Sequence, residues 1–230
     1  MTDEEHLNGF SKVEIYCQIL LGILRYIPIK NQENYETEIV KKFKFQNYKD
    51  INLLRSCIDI LEDTQYAINE TFNNGIETNS NYIGEKYLRL YGVLNAYFQQ
   101  MHSLFNLIKL FNSTTQTETK KRFRNFGIIE LRNKIASHTT NYIDDYNDNK
   151  NLDFFRLTQT TLTKWSKGLI IVSYKSKFKE IDLINLMNEF TEALEKELNK
   201  ICEESINSIF RRKSEHRDWL LFRLNYVIKK

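Results

Sequence analysis

The chain has 230 residues, and 33 Lys and Arg face 30 Asp and Glu for a net charge of +3. That length can bury a hydrophobic core without disulfides or a structural metal, while one proline and seven glycines are too few turn formers for a sandwich or barrel. The charge falls short of the strongly basic footprint of a dedicated nucleic-acid-binding domain, but leaves room for one local basic cleft.

The three cysteines, Cys17, Cys57 and Cys202, show no CxxC pairing, so a reduced, cytoplasmic setting is expected. The apolar run 19–24 is short and follows the acidic Asp3, Glu4 and Glu5. A signal peptide wants a basic start and a membrane span needs far more apolar length, so neither is expected.

A first helix is predicted over 11–26, stopped before Pro28, with Val13, Cys17, Leu20 and Leu24 on one face. A lysine-rich segment follows (Lys41, Lys42, Lys44). The second helix, 48–72, carries Leu54, Ile58, Leu61, Ile68 and Phe72 near one stripe. Asn73-Asn74-Gly75 should end it, because these residues tolerate the left-handed C-cap conformation. In the third, 82–111, Leu90, Leu94, Tyr97, Met101, Leu104, Ile108 and Phe111 recur four and three apart. Tyr91, Phe98 and Phe105 add a parallel row, making a band wider than a surface helix needs. This helix is expected to be the spine of the fold, central to a bundle or shared with a second subunit.

Thr115 and Glu118 read as a capping box. The helix they start should run unbroken to about residue 138, carrying Lys120, Lys121, Arg122 and Arg124. Such a run is commonly a solvated face, and otherwise a strip that tracks phosphates. A polar loop occupies 141–150. Segments 154–163 and 169–174, rich in Thr, Phe, Ile and Val around Ser166-Lys167-Gly168, suggest a β-hairpin. The last long helix starts near residue 180 on Leu183, Met187, Phe190, Leu194, Leu198 and Ile201. It is expected to continue past 209 into a basic, aromatic tail with Arg211, Arg212, Lys213, Trp219, Phe222 and Tyr226, suited to RNA contact or to covering a helix. The predicted fold is all-α in the main, an antiparallel four-helix up-down bundle over 47–210. It has an N-terminal helical extension over 1–46, a hairpin insertion at about 152–175 before the last long helix, and a tail, 211–230, packed on the bundle.

The chemistry concentrates in Leu131-Arg132-Asn133-Lys134-Ile135-Ala136-Ser137-His138. Arg132 offers a planar, permanently charged fork that grips a phosphate. His138 titrates near neutrality and serves as acid or base, and Asn133 can orient either. These are the parts needed to cleave a phosphodiester by an adjacent hydroxyl. At about 100° per residue, positions six apart diverge by about 120°, so a regular helix does not aim both at one point. A frayed helix end or a second subunit would resolve this. The plain alternative is an Arg–His pair that caps a helix end, where basic residues suit the dipole.

Arg132-Asn133-x-x-x-x-His138 resembles the RNxxxxH motif of the HEPN superfamily (higher eukaryotes and prokaryotes nucleotide-binding domains). The context, a motif late in the third core helix with one long helix after it, is similar, as is Tyr87-Leu-Arg-Leu-Tyr91-Gly92; the resemblance covers roughly 47–210. It implies a metal-independent endoribonuclease that dimerises so that two motifs face each other, acting as a toxin of a toxin–antitoxin pair or as an abortive-infection or phage-defence effector. By position, Arg132 would stabilise the charged phosphate, His138 would be the acid/base, and Asn133 fills the polar position after the arginine. Members paired with a nucleotidyltransferase antitoxin often carry a tyrosine two residues after the histidine. Here that position is Thr140, with Tyr142 nearby, so control by that modification is not implied.

The expected partners are therefore an RNA substrate, a second copy of the chain, and an antitoxin or defence-system protein. Lys120, Lys121, Arg122, Arg124 and Lys134 are candidate RNA contacts. No HExxH, Cys/His cluster, EF-hand loop, GxGxxG or GK[ST] sequence is present, so no metal or nucleotide cofactor is expected. His102, one position from the apolar row of the central helix, reads as a buried or rim histidine and not as a ligand. A reading of another class stays open: a catalytically inactive helical module that binds RNA or a protein partner.

Overall fold

The computed structural model describes residues 3–28, 35–78, 82–112, 115–137, 155–173 and 175–230. It is mainly helical, 75% helix, with nine helices and one three-stranded antiparallel sheet among the described residues. No helix among them is long and apolar enough to cross a membrane. The chain divides into two compact units. One comprises Met1–Gln65, Gln99–Glu118 and Ala193–Lys230, the other Tyr66–Phe98 and Thr119–Glu192.

The first unit contains α1 (Asp3–Asn8), α2 (Lys12–Tyr26) and α3 (Tyr35–Phe43). It shares the long helices α4 (Lys49–Asn74), α5 (Ile83–Leu110) and α8 (Leu183–Ile209) with the second unit, and ends with α9 (Glu215–Lys229). Helix α2 starts where expected because Ser11 caps it. The Ser11 hydroxyl accepts the Glu14 N–H at 3.3 Å, and the Glu14 carboxylate accepts the Ser11 N–H at 2.7 Å. Val13, Cys17, Leu20 and Leu24 are buried as their spacing suggests, but so are Ile15, Tyr16, Ile19 and Ile23. A second face is covered by α9: a Cβ at Gly22 would lie 2.8 Å from the Trp219 ring, so only glycine admits that approach.

Two expectations change in this unit. The last long helix does not continue into the tail: α8 stops at Ile209, and Ser214 begins a new helix by accepting the Arg217 N–H at 3.2 Å. Three adjacent cations followed by a good N-cap residue favour a break there over a continued helix. The lysine-rich segment also holds a helix, α3, whose apolar side is only Ile39 and Phe43. It ends at Lys44, which has φ of +58°, and the Phe45 N–H returns to the Val40 carbonyl at 2.9 Å. This turn stacks Phe45 on Phe43 with centroids 4.8 Å apart. The cysteines are free and buried, and burial pushes their thiols up, Cys57 to about 11.

The second unit adds most of α6 (Gln116–Arg124), α7 (Gly127–Arg132) and a π-helical turn over Asn133–Ser137. The strands β1 (Phe155–Leu157), β2 (Leu169–Ser173) and β3 (Phe178–Ile181) complete it. Its centre is aromatic: Phe123 and Phe190 meet edge-to-face at 5.2 Å, with Tyr97 at 5.1 Å and Phe126 at 5.5 Å from Phe190. The Tyr97 hydroxyl shares a hydrogen bond with Thr191 at 3.1 Å. Gly75 ends α4 as expected, at φ of +72°, and a Cβ there would sit 2.3 Å from the Lys164 carbonyl.

The unbroken helix expected from Thr115 to 138 is in fact interrupted. Asn125 and Phe126 close back on the Arg122 and Phe123 carbonyls at 3.1 and 3.3 Å. Phe126 then takes extended backbone angles, and its ring joins Phe123 and Phe190. Core packing of that ring, with the glycine after it, outweighs helix continuation. The hairpin is likewise one strand short of the observed sheet, whose order is β1-β2-β3. β1 pairs with β2 through Phe155↔Ser173 and Leu157↔Ile171, and β2 with β3 through Leu169↔Ile181 and Val172↔Phe178. β3 carries Lys179 and Glu180 and buries only Ile181, so it lacks the apolar alternation that marks a strand.

Candidate active site

Arg132 is the last residue of α7, and the chain widens into the π-helical turn immediately after it. Such turns are rare, occur mostly as single-turn bulges within α-helices, and are frequent at functional sites. The regular helix from which the 120° divergence was reckoned thus ends at Arg132 itself. His138, with Thr140, Tyr142 and the polar loop 141–150, lies outside the described residues.

The Arg132 side chain is half-buried and fixed at two points. Its guanidinium carbon lies 3.8 Å from the centroid of the Phe98 ring, close enough for a strong cation–π contact. One terminal nitrogen donates to the Asn133 side-chain oxygen at 3.1 Å. Asn133, at the C-cap, keeps helical angles while its N–H points back to the Ile129 and Glu130 carbonyls. Asn133 therefore orients the arginine. Burial draws the Arg132 pKa below its ordinary value. Arginine stays cationic regardless. Among the described residues, no carboxylate pairs with it.

Lys134, two residues on, is placed differently. Its ammonium bonds the Glu130 carboxylate one turn earlier and lies 4.6 Å from the Phe155 ring centroid. Lys179 from β3 approaches the other Glu130 oxygen at 3.8 Å. Burial alone would raise the Glu130 pKa, but the Lys134 bond and the Lys134 and Lys179 charges outweigh it and hold it low. Lys134 is thus one arm of a local ion cluster.

No protein-family model, curated protein or solved structure matches this chain.

Lys120, Lys121, Arg122 and Arg124 sit on α6, separated from the motif by the break at Asn125 and Phe126. At about 100° per residue, Lys120 and Arg124 share a face while Lys121 and Arg122 point away from it. Arg122 lies over the Phe123 ring at 5.3 Å. The four do not form one strip. Among the described residues, no three His, Cys, Asp or Glu side chains gather as metal ligands.

Sequence reasoning does not find Phe98 as a partner of Arg132, nor Phe155 and Lys179 as neighbours of the motif. Phe98 reads there as one member of an apolar row. Glu130 has a signal, since it stands four residues before Lys134, the spacing of a helical ion pair.

Proposed function

We propose that the chain is a metal-independent endoribonuclease of the HEPN type, cleaving RNA by attack of its own 2′-hydroxyl. The observation that supports this is the Arg132 guanidinium: half-buried on Phe98, tethered by Asn133, and without a carboxylate partner among the described residues. Withdrawing a charge from water without a counter-charge is costly, so a helix-end arginine with only a capping role would be expected to stay solvated or to form an ion pair. A phosphodiester supplies a negative charge that the planar fork can grip.

In the reaction a base, assigned to His138, takes the proton of the 2′-hydroxyl, and that oxygen attacks phosphorus. The bond from phosphorus to the 5′-oxygen breaks, and the protonated His138 returns its proton to the leaving oxygen. Arg132 stabilises the charge gathering on the non-bridging oxygens. The products are a 2′,3′-cyclic phosphate and a 5′-hydroxyl.

In this reading α4, α5, the α6–α7 segment and α8 are the members of a four-helix bundle. The working unit is a cytoplasmic homodimer, a toxin or phage-defence effector with its own partner protein. The exposed Leu88 and Tyr91 of α5, at 74% and 39%, supply apolar surface for a second copy.

The test is cleavage of a defined RNA in EDTA. Wild type should yield cyclic-phosphate ends, and 2′-deoxy substitution at the cut should block it. His138→Ala should be inactive, and mixing it with Arg132→Ala subunits should restore activity if the two residues act across the dimer. Magnesium-dependent cutting that leaves a 5′-phosphate would overturn the mechanism. RNA bound but left intact would make the chain the inactive binding module instead.

A further inference from the structure

Three helices of the first unit end at one cleft. α2, α3 and α8 stop at Tyr26, Phe43 and Ile209, and residues at those ends line a cavity of about 900 Å³. Arg25 comes from the last turn of α2, Lys41 and Lys42 from the last turn of α3, and Lys44 from the turn beyond it. Arg211 and Arg212 follow α8, with Arg211 held by the Ser208 carbonyl at 3.3 Å. Among the described residues, the one carboxylate in the lining is Glu38.

Cations at helix C-termini have an ordinary explanation, since each terminus carries roughly half a negative charge. Three termini account for about −1.5 in all by that figure. Among the described residues the lining carries six positive side chains against one negative, a net of five. α9 also begins here, and in its first turn Glu215 and Asp218 outweigh Arg217 and the positive helix end by roughly half a charge. About 3 positive charges remain uncompensated on that reckoning. Among the described residues none of the six pairs with a carboxylate.

Two further features fit an extended polyanion carrying rings. Tyr26 and His216 both line the cleft with their rings stacked, 4.3 Å apart and 7° from parallel, and His216 is exposed. Its outer face is a flat platform for a base. Lys44 holds a left-handed backbone, unusual for a lysine, and so presents its side chain where glycine or asparagine commonly sits.

We propose that this cleft is an RNA-docking site separate from the Arg132 motif, holding the backbone of a single strand through three or four phosphates with a base on His216. That the site takes a polyanion follows from the cleft's charge; that the polyanion is RNA rests on the proposed ribonuclease reading.

The test is fluorescence anisotropy of the full chain with a non-cleavable 2′-O-methyl RNA of twelve nucleotides, titrated at several salt concentrations. Lys41→Gln, Lys42→Gln, Arg211→Gln and Arg212→Gln combined should weaken binding tenfold or more near 0.1 M salt. The slope of log affinity against log salt should shrink by roughly 2.8, at about 0.7 per lost contact on a single strand. The exposed pair Arg211→Gln and Arg212→Gln alone should give about half that change, which keeps the test open if the fourfold variant does not fold. A charge-matched control, Arg55→Gln, Lys109→Gln, Lys167→Gln and Lys196→Gln, should leave affinity and slope unaltered. Equal loss in cleft and control variants, or no loss in either, would overturn the proposal. So would displacement of the RNA by pyrophosphate at micromolar concentration, which marks a small-anion site, or by phosphatidylserine vesicles, which marks a membrane surface. Cleavage of unmodified RNA is followed in parallel. Cleft-dependent binding without cleavage would end the nuclease reading alone, and cleavage without cleft-dependent binding would end the docking site alone.

Discussion

Arg132 and the six cations at the ends of α2, α3 and α8 carry the same kind of charge in opposite settings. Arg132 is a single group, half-buried, stacked on Phe98 and tethered to Asn133. The six around Arg211 are mostly exposed and drawn from three chain segments. A fixed, partly desolvated cation acts at short range and is little screened, whereas an exposed cluster acts by summed field and fades with salt over about 10 Å at 0.1 M. The first arrangement suits a transition state. The second suits affinity for a strand whatever its sequence.

The largest expected effect tests whether Arg132 works by position. Arg132→Ala should lower cleavage on the order of a hundredfold or more, the usual cost of removing one oriented electrostatic group. Arg132→Lys should recover only a small part, because an ammonium keeps the charge but loses the planar fork and its stacking on a ring. Neither should shrink the salt slope by more than about one contact's 0.7. Near wild-type cleavage by Arg132→Lys would make Arg132 one more member of a diffuse field, and the contrast would fall.

A smaller effect is expected at Phe98. Phe98→Leu keeps apolar bulk but removes the ring face beneath the guanidinium. A partly desolvated cation–π contact is worth roughly 0.5–2 kcal/mol, so the cleavage rate should fall about two- to thirtyfold. The loss should appear in kcat more than in KM, and Phe98→Tyr should restore most of it. A lower melting temperature with unchanged kcat would make Phe98 a packing residue only.

How far the sequence reveals this depends on the range of the cause. Ser11 with Glu14, Gly75 after two asparagines, and the apolar spacing of α5 act within a few residues, and each element begins or ends where those residues place it. The break before α7 has its cause across the unit, in the ring cluster that takes up Phe126, so the capped helix reads as continuous. β3 is polar, and it is a strand because β2 offers it a ladder. The same holds for the site. Arg132-Asn133-x-x-x-x-His138 is visible as a motif, yet the ring beneath Arg132 stands at position 98, and nothing in its periodicity separates a platform from a core residue. The basic cleft is dispersed further still, its cations lying in segments near residues 25, 41 and 211.

The smallest expected effect concerns Glu130, which holds Lys134 on the paired side of the comparison. The Glu130 carboxyl is depressed in the fold: burial opposes ionisation, but the Lys134 bond and the Lys134 and Lys179 charges prevail. A carboxyl with a lower pKa folded than unfolded stabilises the fold above the ordinary carboxylate range, and loses that contribution as pH falls through its folded value. Glu130 is 39% exposed, so its ion pairs are worth only about 0.5–1 kcal/mol. Urea unfolding should show Glu130→Gln less stable than wild type by that amount at pH 7, with the gap closing at about pH 4 and below. The substitution also releases Lys134, and a freed ammonium beside the motif should steepen the salt dependence of RNA binding by about 0.7. A stability gap that persists unchanged at pH 3 would assign the loss to packing, whereas an unaltered slope would show that Lys134 stays out of the strand's reach even when its partner is gone.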